Sequence, residues 1–123
     1  MIVLSAIGLL VGGVGVIAIM MISVTERTRE IGVRKALGAT RGTILWQFLV
    51  EAVTLTAIGA VCGLIGGSIV SVIIRNATPI KASIPPLAIV AALAASAITG
   101  VIFGMLPAMR ASKLDPVDAL RYE

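Results

Sequence analysis

Three long apolar runs separated by short polar segments dominate the sequence. They extend over about residues 1–22, 44–74 and 85–109, and only the second contains a charged residue, Glu51. An α-helix needs roughly 20 apolar residues to cross the hydrocarbon core of a bilayer. The pattern therefore predicts an all-α membrane protein, a single module over residues 1–123 with three transmembrane helices.

Between the first two runs, residues 25–42 have the pattern of a short helix followed by a turn. Ser23 and Glu26 have the spacing of a capping box, which predicts that a helix begins between them. Gly38 is a stop signal, because glycine readily adopts the left-handed conformation that ends many helices. We therefore predict a helix over about residues 24–37.

The two remaining polar segments are a loop and a tail. Residues 75–86 are rich in turn formers and predict a loop. In the tail, residues 110–123, Asp115 is placed to cap a short helix, with Pro116 at its first position and Asp118 in its acid-favouring first turn. A catalytic carboxylate pair is the alternative interpretation of the two acids, and the spacing favours capping.

Lys and Arg residues are distributed unevenly between the two sides of the predicted bundle. Five lie in residues 25–42 and three in the tail, whereas the loop contains only Arg75 and Lys81. The positive-inside rule then predicts a cytoplasmic segment 25–42, a cytoplasmic C-terminus and an outside N-terminus. Because the first run begins at Met1 with no basic residues before it, unlike a signal peptide, we expect the chain to be the C-terminal part of a longer protein.

Composition narrows the chemistry that the chain can perform. Hydrophobic residues make up 59% and charged residues 13%, against about a quarter charged in soluble domains. Histidine is absent, Cys62 is the only cysteine, and no phosphate-loop motif occurs. We expect no catalytic, metal or cofactor site in this chain, and we attribute its net charge of +4 to topology rather than to nucleic-acid binding.

Small residues recur at every fourth position in the second and third runs. Such faces let two helix backbones approach closely in a membrane. Packing within the bundle is the favoured interpretation, and a dimer interface or a sliding surface is the alternative. The residues predicted to pack are Gly59, Gly63, Gly67, Ser96, Gly100 and Gly104.

Glu51 is the only ionisable residue inside a predicted span. Counting about 20 to 25 residues back from Ile74 places the membrane boundary near Glu51 and near Trp46, a residue type that favours the interface. Thr40 is placed to cap the helix that contains both residues. We interpret Glu51 as an interface acid, with a transport or proton-relay role as the alternative.

The predicted helix over residues 24–37 is too polar to insert into the membrane and too weakly amphipathic to lie on a lipid surface. Its small apolar patches contain Ile31, Val33 and Leu37, and charges of both signs surround them. Such a surface suits a protein partner in the cytoplasm. The alternative is a solvated loop that only fixes the topology.

Three separated segments read SVTERTREIGVRKALGAT, QFLVEAVTLTAIGAVCGLIGG and LPAMRASKLDPVDALRYE. In this order they resemble the C-terminal membrane region of ABC transporter permeases of the MacB and FtsX type. The resemblance extends over essentially the whole chain. It implies a bacterial inner-membrane permease of four helices, of which these are helices two to four, with a first helix and an extracytoplasmic domain before them.

The resemblance also implies partners. These are a cytoplasmic ABC ATPase, fused or separate, that binds ATP and Mg²⁺, a second permease copy, membrane lipid and an extracytoplasmic adaptor. The family's coupling element falls on residues 29–39, and Ala18 occupies a position where MacB-like proteins often carry Asn. The residues expected to contact the ATPase are Arg29, Glu30, Ile31, Val33, Arg34, Lys35 and Leu37.

The function implied by the resemblance is mechanotransmission, in which ATP hydrolysis elsewhere moves an extracytoplasmic domain. Export of a macrolide, a peptide or a lipoprotein, or regulation of a cell-wall enzyme, would follow from that movement. The alternative is a small self-oligomerising membrane protein, holin-like or a channel, that uses its glycine faces and has no ATPase partner.

Overall fold

The computed structural model describes residues 2–115, 117 and 121. Within these residues the chain forms four helices and no strand, namely α1 (Ile2–Glu26), α2 (Thr28–Ala36), α3 (Arg41–Ala77) and α4 (Pro86–Ser112). The helices α1, α3 and α4 are long and apolar enough to cross a membrane. The predicted all-α membrane fold, with three long helices and a short helix after the first, is confirmed.

Most of the short tail helix that the sequence predicts lies outside the described residues, which include only its proposed capping residue Asp115, Val117 and Arg121. Asp115 Oδ1 accepts a hydrogen bond from the Val117 backbone N–H at 2.9 Å. This bond is of the kind that an N-cap side chain makes with the first turn of a helix.

The junction between α1 and α2 differs from the prediction. α1 continues through Ser23 and Glu26, so these residues form no capping box, and the break comes at Arg27. There, Thr28 Oγ1 donates a hydrogen bond to the Val24 carbonyl at 3.0 Å. Extending an existing helix adds hydrogen bonds without a new nucleation step, and Val24 is buried in the core. The predicted helix start near residue 24 is therefore wrong.

The end of α2 follows the predicted stop signal. Gly38 has a φ of 105°, in the left-handed region. Its N–H bonds to the Lys35 carbonyl at 3.1 Å, and the Ala39 N–H bonds to the Arg34 carbonyl at 3.1 Å. These two hydrogen bonds define a Schellman motif, which closes the C-terminus of a helix and turns the chain.

The next two helices begin at residues that suit a helix N-terminus. Thr40 caps α3, because its Oγ1 accepts a hydrogen bond from the Thr43 N–H at 3.2 Å. α4 begins with Pro86, whose missing N–H has no helical partner in the first turn anyway. Only four residues separate the last residue of α2, Ala36, from the first residue of α3, Arg41, so α2 stays close to that end of the bundle.

α3 and α4 form a closely packed antiparallel pair. A Cβ at Gly100 would lie 3.1 Å from Val53 Cα and would overlap Thr56 Oγ1. A Cβ at Gly104 would overlap the Ala52 Cβ. The two backbones can approach this closely only because both α4 residues lack a side chain.

α1 packs mainly against α4 and makes little contact with α3. Gly13 provides room for the Phe103 ring of α4, since a Cβ at Gly13 would lie 2.5 Å from Phe103 Cδ2. The helices therefore lie in the order α1, α4, α3. An open groove of about 800 Å³, lined mostly by small and apolar side chains, separates α1 from α3.

The core lies at the α2 end of the bundle, where all four helices contribute. Most other apolar side chains of the long helices are exposed on the outer surface, as expected for helices that face lipid. The buried apolar residues are Met20, Val24, Ile31, Ile44, Phe48, Ala52, Ala108 and Ala111.

Candidate functional site

α2 has an inward face that packs against the bundle. Ile31 is only 3% exposed and belongs to the core, together with Ile44 and Ala111 from α3 and α4. Gly32 is also buried. Ile31 was predicted to contact a partner, but its side chain is covered by its own chain. Ile31 lies on the opposite side of α2 from Val33 and Leu37, and this side packs inward.

Lys35 connects α2 to the end of α4. Its ammonium group donates hydrogen bonds to the backbone carbonyls of Ser112 and Leu114, the latter at 2.6 Å. The last carbonyls of a helix lack intrahelical partners and carry partial negative charge, so a cation is well placed there. Burial lowers the pKa of Lys35, and the nearby Arg41 charge lowers it further, whereas Asp115 raises it. Lys35 therefore holds the two helices together instead of projecting freely.

Arg34 connects α2 to α3. One guanidinium nitrogen, Nη1, donates to Gln47 Oε1 at 2.6 Å, and Nη2 lies 2.8 Å from Glu30 Oε1 in an i,i+4 ion pair. These groups are exposed, so the ion pair contributes little to stability. The geometry nevertheless fixes the direction of the Arg34 side chain along the α2–α3 junction.

The opposite face of α2 is exposed and carries apolar side chains. Leu37 is 83% exposed and Val33 is 42% exposed. Arg29 lies four residues before Val33 on the same face and is also exposed. The helix thus has one face fixed to the bundle and another that is open, formed by Arg29, Val33 and the C-cap residue Leu37. We call these three residues the outer face of α2.

Glu51 lies beside the junction of α1 and α2. Its Oε2 is 3.8 Å from Arg27 Nη1, and both side chains are partly exposed. Trp46, five residues earlier in α3, is 69% exposed. An acid paired at a helix junction and close to an exposed Trp has the surroundings expected of an interface acid.

The residues predicted to pack fall into two groups. On α4, Gly100 and Gly104 contact α3, and Ser96 is buried with its hydroxyl donating to the Leu93 carbonyl at 3.0 Å. On α3, a Cβ added at any of the three glycines of the repeat would have no atom of another described helix within 4 Å, so no helix in the described part of the chain packs closely against them. They are Gly59, Gly63 and Gly67.

The profile of the family described as FtsX-like permease C-terminal matches residues 2–116 of this sequence. The chain belongs to the FtsX-like permease family. It is 52% identical over 98% of its length to the uncharacterized ABC transporter permease YknZ of Bacillus subtilis (strain 168). It is 46% and 50% identical, again over 98% of its length, to macrolide export ATP-binding/permease proteins MacB from Rhodopirellula baltica and Wolinella succinogenes.

This FtsX-like permease chain spans only part of these relatives, 30% of YknZ and 18% of each MacB. The family and the three long apolar helices identify it as a multi-pass membrane protein and a transmembrane component of an ABC transporter. The self-oligomerising alternative has no comparable support.

The FtsX-like permease also contains contacts at its α2 end that the sequence did not predict. Gln47 accepts a hydrogen bond from Arg34, and the carbonyls of Ser112 and Leu114 accept hydrogen bonds from Lys35. A lone amide side chain within an apolar run was the available signal for Gln47. Backbone carbonyls leave no signal in a sequence, because every residue has one.

Proposed function

We propose that this FtsX-like permease region transmits ATP-driven movement from a cytoplasmic ATPase through α2 to the long helices and then to an extracytoplasmic domain. The names of the MacB relatives combine ATP-binding and permease functions in one protein. Since the chain matches only 18% of each MacB, the ATPase would be a further domain or a separate subunit. ATP and Mg²⁺ would bind there, and this chain would supply no ligand to either.

The observation that carries this proposal is that one face of α2 is held by the bundle while the opposite face is open. Its inner face is fixed by the buried Ile31 and by the bonds of Arg34 and Lys35 to α3 and α4. Its outer face exposes Leu37, an apolar side chain that would lose contact with water in an interface. A rigid helix with a free apolar face can pass a displacement from a docked partner to the helices behind it.

The names of the MacB relatives support export of a macrolide, and a peptide or lipoprotein would suit the same mechanism. We propose a second permease copy, membrane lipid and an extracytoplasmic adaptor as further partners. The α3 glycines against which no described helix packs closely are compatible with a neighbouring helix in such an assembly.

The proposal requires the α2 end to face the cytoplasm. Single cysteines at Ala36, Val117 and Thr78, in a Cys62→Ala background, test this orientation because all three residues are exposed. Ala36→Cys and Val117→Cys should react with a membrane-impermeant maleimide only after the cells are opened, and Thr78→Cys should react in intact cells. Labelling of Ala36→Cys in intact cells would reverse the orientation.

A photoreactive amino acid at position 37 tests the docking surface itself. In the full-length protein, ultraviolet light should join position 37 to the ATPase domain or subunit, because that side chain projects from the bundle. Position 58, also exposed but in the middle of α3, is the control and should react only with lipid or another membrane helix. A lipid adduct as the sole product from position 37 would contradict the proposal.

A further inference from the structure

A polar cleft lies where the end of α2, the start of α3 and the end of α4 meet. It has a volume of about 340 Å³ and is separate from the outer face of α2. Three basic side chains and a single acidic one contribute to its walls. The lining residues are Lys35, Ala39, Arg41, Lys113, Leu114 and Asp115.

The charges of this basic cleft are only partly compensated. Lys35 is occupied by two carbonyls of α4, and Asp115 accepts a hydrogen bond from Val117. Among the described residues, neither Arg41 nor Lys113 takes part in an ion pair or in a side-chain hydrogen bond. Two cations without partners therefore lie beside a third, and the cleft favours an anion.

The depth of the basic cleft favours a ligand from water over a lipid headgroup. Arg75 and Glu51 are 24 residues apart in α3, which corresponds to about 36 Å and already exceeds a hydrocarbon core of about 30 Å. Arg41 lies ten residues beyond Glu51, or about 15 Å further along the helix. A headgroup layer is only about 5 to 8 Å thick on each side. With Arg75 at the opposite membrane surface, the cleft therefore lies beyond the lipid phosphates.

We propose that the basic cleft binds a carboxylate side chain of the cytoplasmic ATPase, as a second contact beside the outer face of α2. Arg41 offers a guanidinium fork that matches a carboxylate in two hydrogen bonds, and Lys113 adds a point charge. This inference rests on the proposed function. It adds a direct connection from the ATPase to the start of α3 and the end of α4, so that movement reaches these helices as well as α2.

A zero-length carbodiimide cross-link tests the contact directly. The reagent joins the Lys113 amine to a carboxylate only when the two groups touch, and digestion followed by mass spectrometry identifies the partner. In the full-length protein we expect an adduct between Lys113 and an Asp or Glu of the ATPase. An adduct confined to carboxylates within these 123 residues, an adduct with phosphatidylserine, or no adduct would each overturn the proposal.

Charge reversal gives the functional measurement. Arg41→Glu and Lys113→Glu should each weaken association with the ATPase by at least tenfold at low salt, with a smaller effect at high salt because the interaction is screened. Arg110→Glu is the matched control, because Arg110 is exposed in the last turn of α4 and does not line the cleft. It should change the association less than twofold. Equal effects of all three substitutions would mean that net charge, not the cleft, attracts the partner.

Failure of this inference can be told apart from failure of the proposed function. If Leu37→Asp abolishes coupling to the ATPase but the cleft variants bind normally, α2 docks the ATPase and the basic cleft does not. If Leu37→Asp has no effect either, the proposed coupling role of α2 fails and the second contact fails with it.

Discussion

A single methyl group added at Gly104 is expected to force α3 and α4 apart. In Gly104→Ala the new Cβ would overlap the Ala52 Cβ, which is attached directly to the α3 backbone and cannot rotate away. One of the two helices must therefore move. By analogy with overpacked cores, we expect the variant to lose about 1–3 kcal/mol of stability. Thermal unfolding of the purified protein in detergent measures the effect.

Gly66→Ala is the matched control for this prediction. It is the same chemical change in α3, at a position where a Cβ has no other residue within 4 Å. Its unfolding temperature should stay the same or rise slightly, since Ala favours a helix more than Gly does. Equal losses in the two variants would show that the contact between Gly104 and Ala52 is not what matters.

The order and type of the helices could be predicted from the sequence. Apolar runs as long as residues 1–22 have few alternatives to a membrane helix, because every backbone polar group must be bonded within lipid. The signals at Gly38 and Thr40 were also reliable, and both caps are present. The Gly38 signal depends on the local backbone conformation, and the Thr40 signal depends on a hydrogen bond that the Thr40 side chain accepts from a backbone N–H three residues later. Neither signal requires a tertiary contact to be known.

The start of α2 could not be predicted in the same way. Ser23 and Glu26 have the spacing of a capping box, but burial of Val24 favours continuing α1. The sequence also did not indicate which apolar patch of α2 packs against the bundle. A helix of nine residues with two small apolar patches can turn either patch inward, and only the packing partners in α3 and α4 decide that Ile31 is covered.

The glycine repeats also predicted only part of the helix packing. Their spacing predicts faces that can pack, but it does not say which face meets which helix. Among the described residues, Gly100 and Gly104 contact α3, whereas no other helix comes within 4 Å of a Cβ added at Gly59 or Gly63. The choice depends on the relative rotation and depth of the helices, and side chains from several helices set both.

Replacing Leu37 by Asp is expected to uncouple the ATPase from the membrane helices. The Leu37 side chain is 83% exposed, so the substitution should leave the fold of this chain unchanged. In the proposed interface it would bury a carboxylate in place of an apolar group, which is unfavourable without a partner. We expect at least a tenfold loss in productive docking, equivalent to about 1.4 kcal/mol. Leu37→Met keeps an apolar side chain of similar size and should behave like the unmodified protein.

The measurement that tests this coupling most directly follows the far end of the molecule. An environment-sensitive fluorophore at Thr78→Cys, in a Cys62→Ala background, reports on the loop between α3 and α4 at the end opposite α2. In the reconstituted full-length protein, ATP should change the fluorescence in the unmodified sequence and in Leu37→Met. The change should be lost in Leu37→Asp while ATP hydrolysis continues. A normal ATP-dependent signal in Leu37→Asp would contradict transmission through α2.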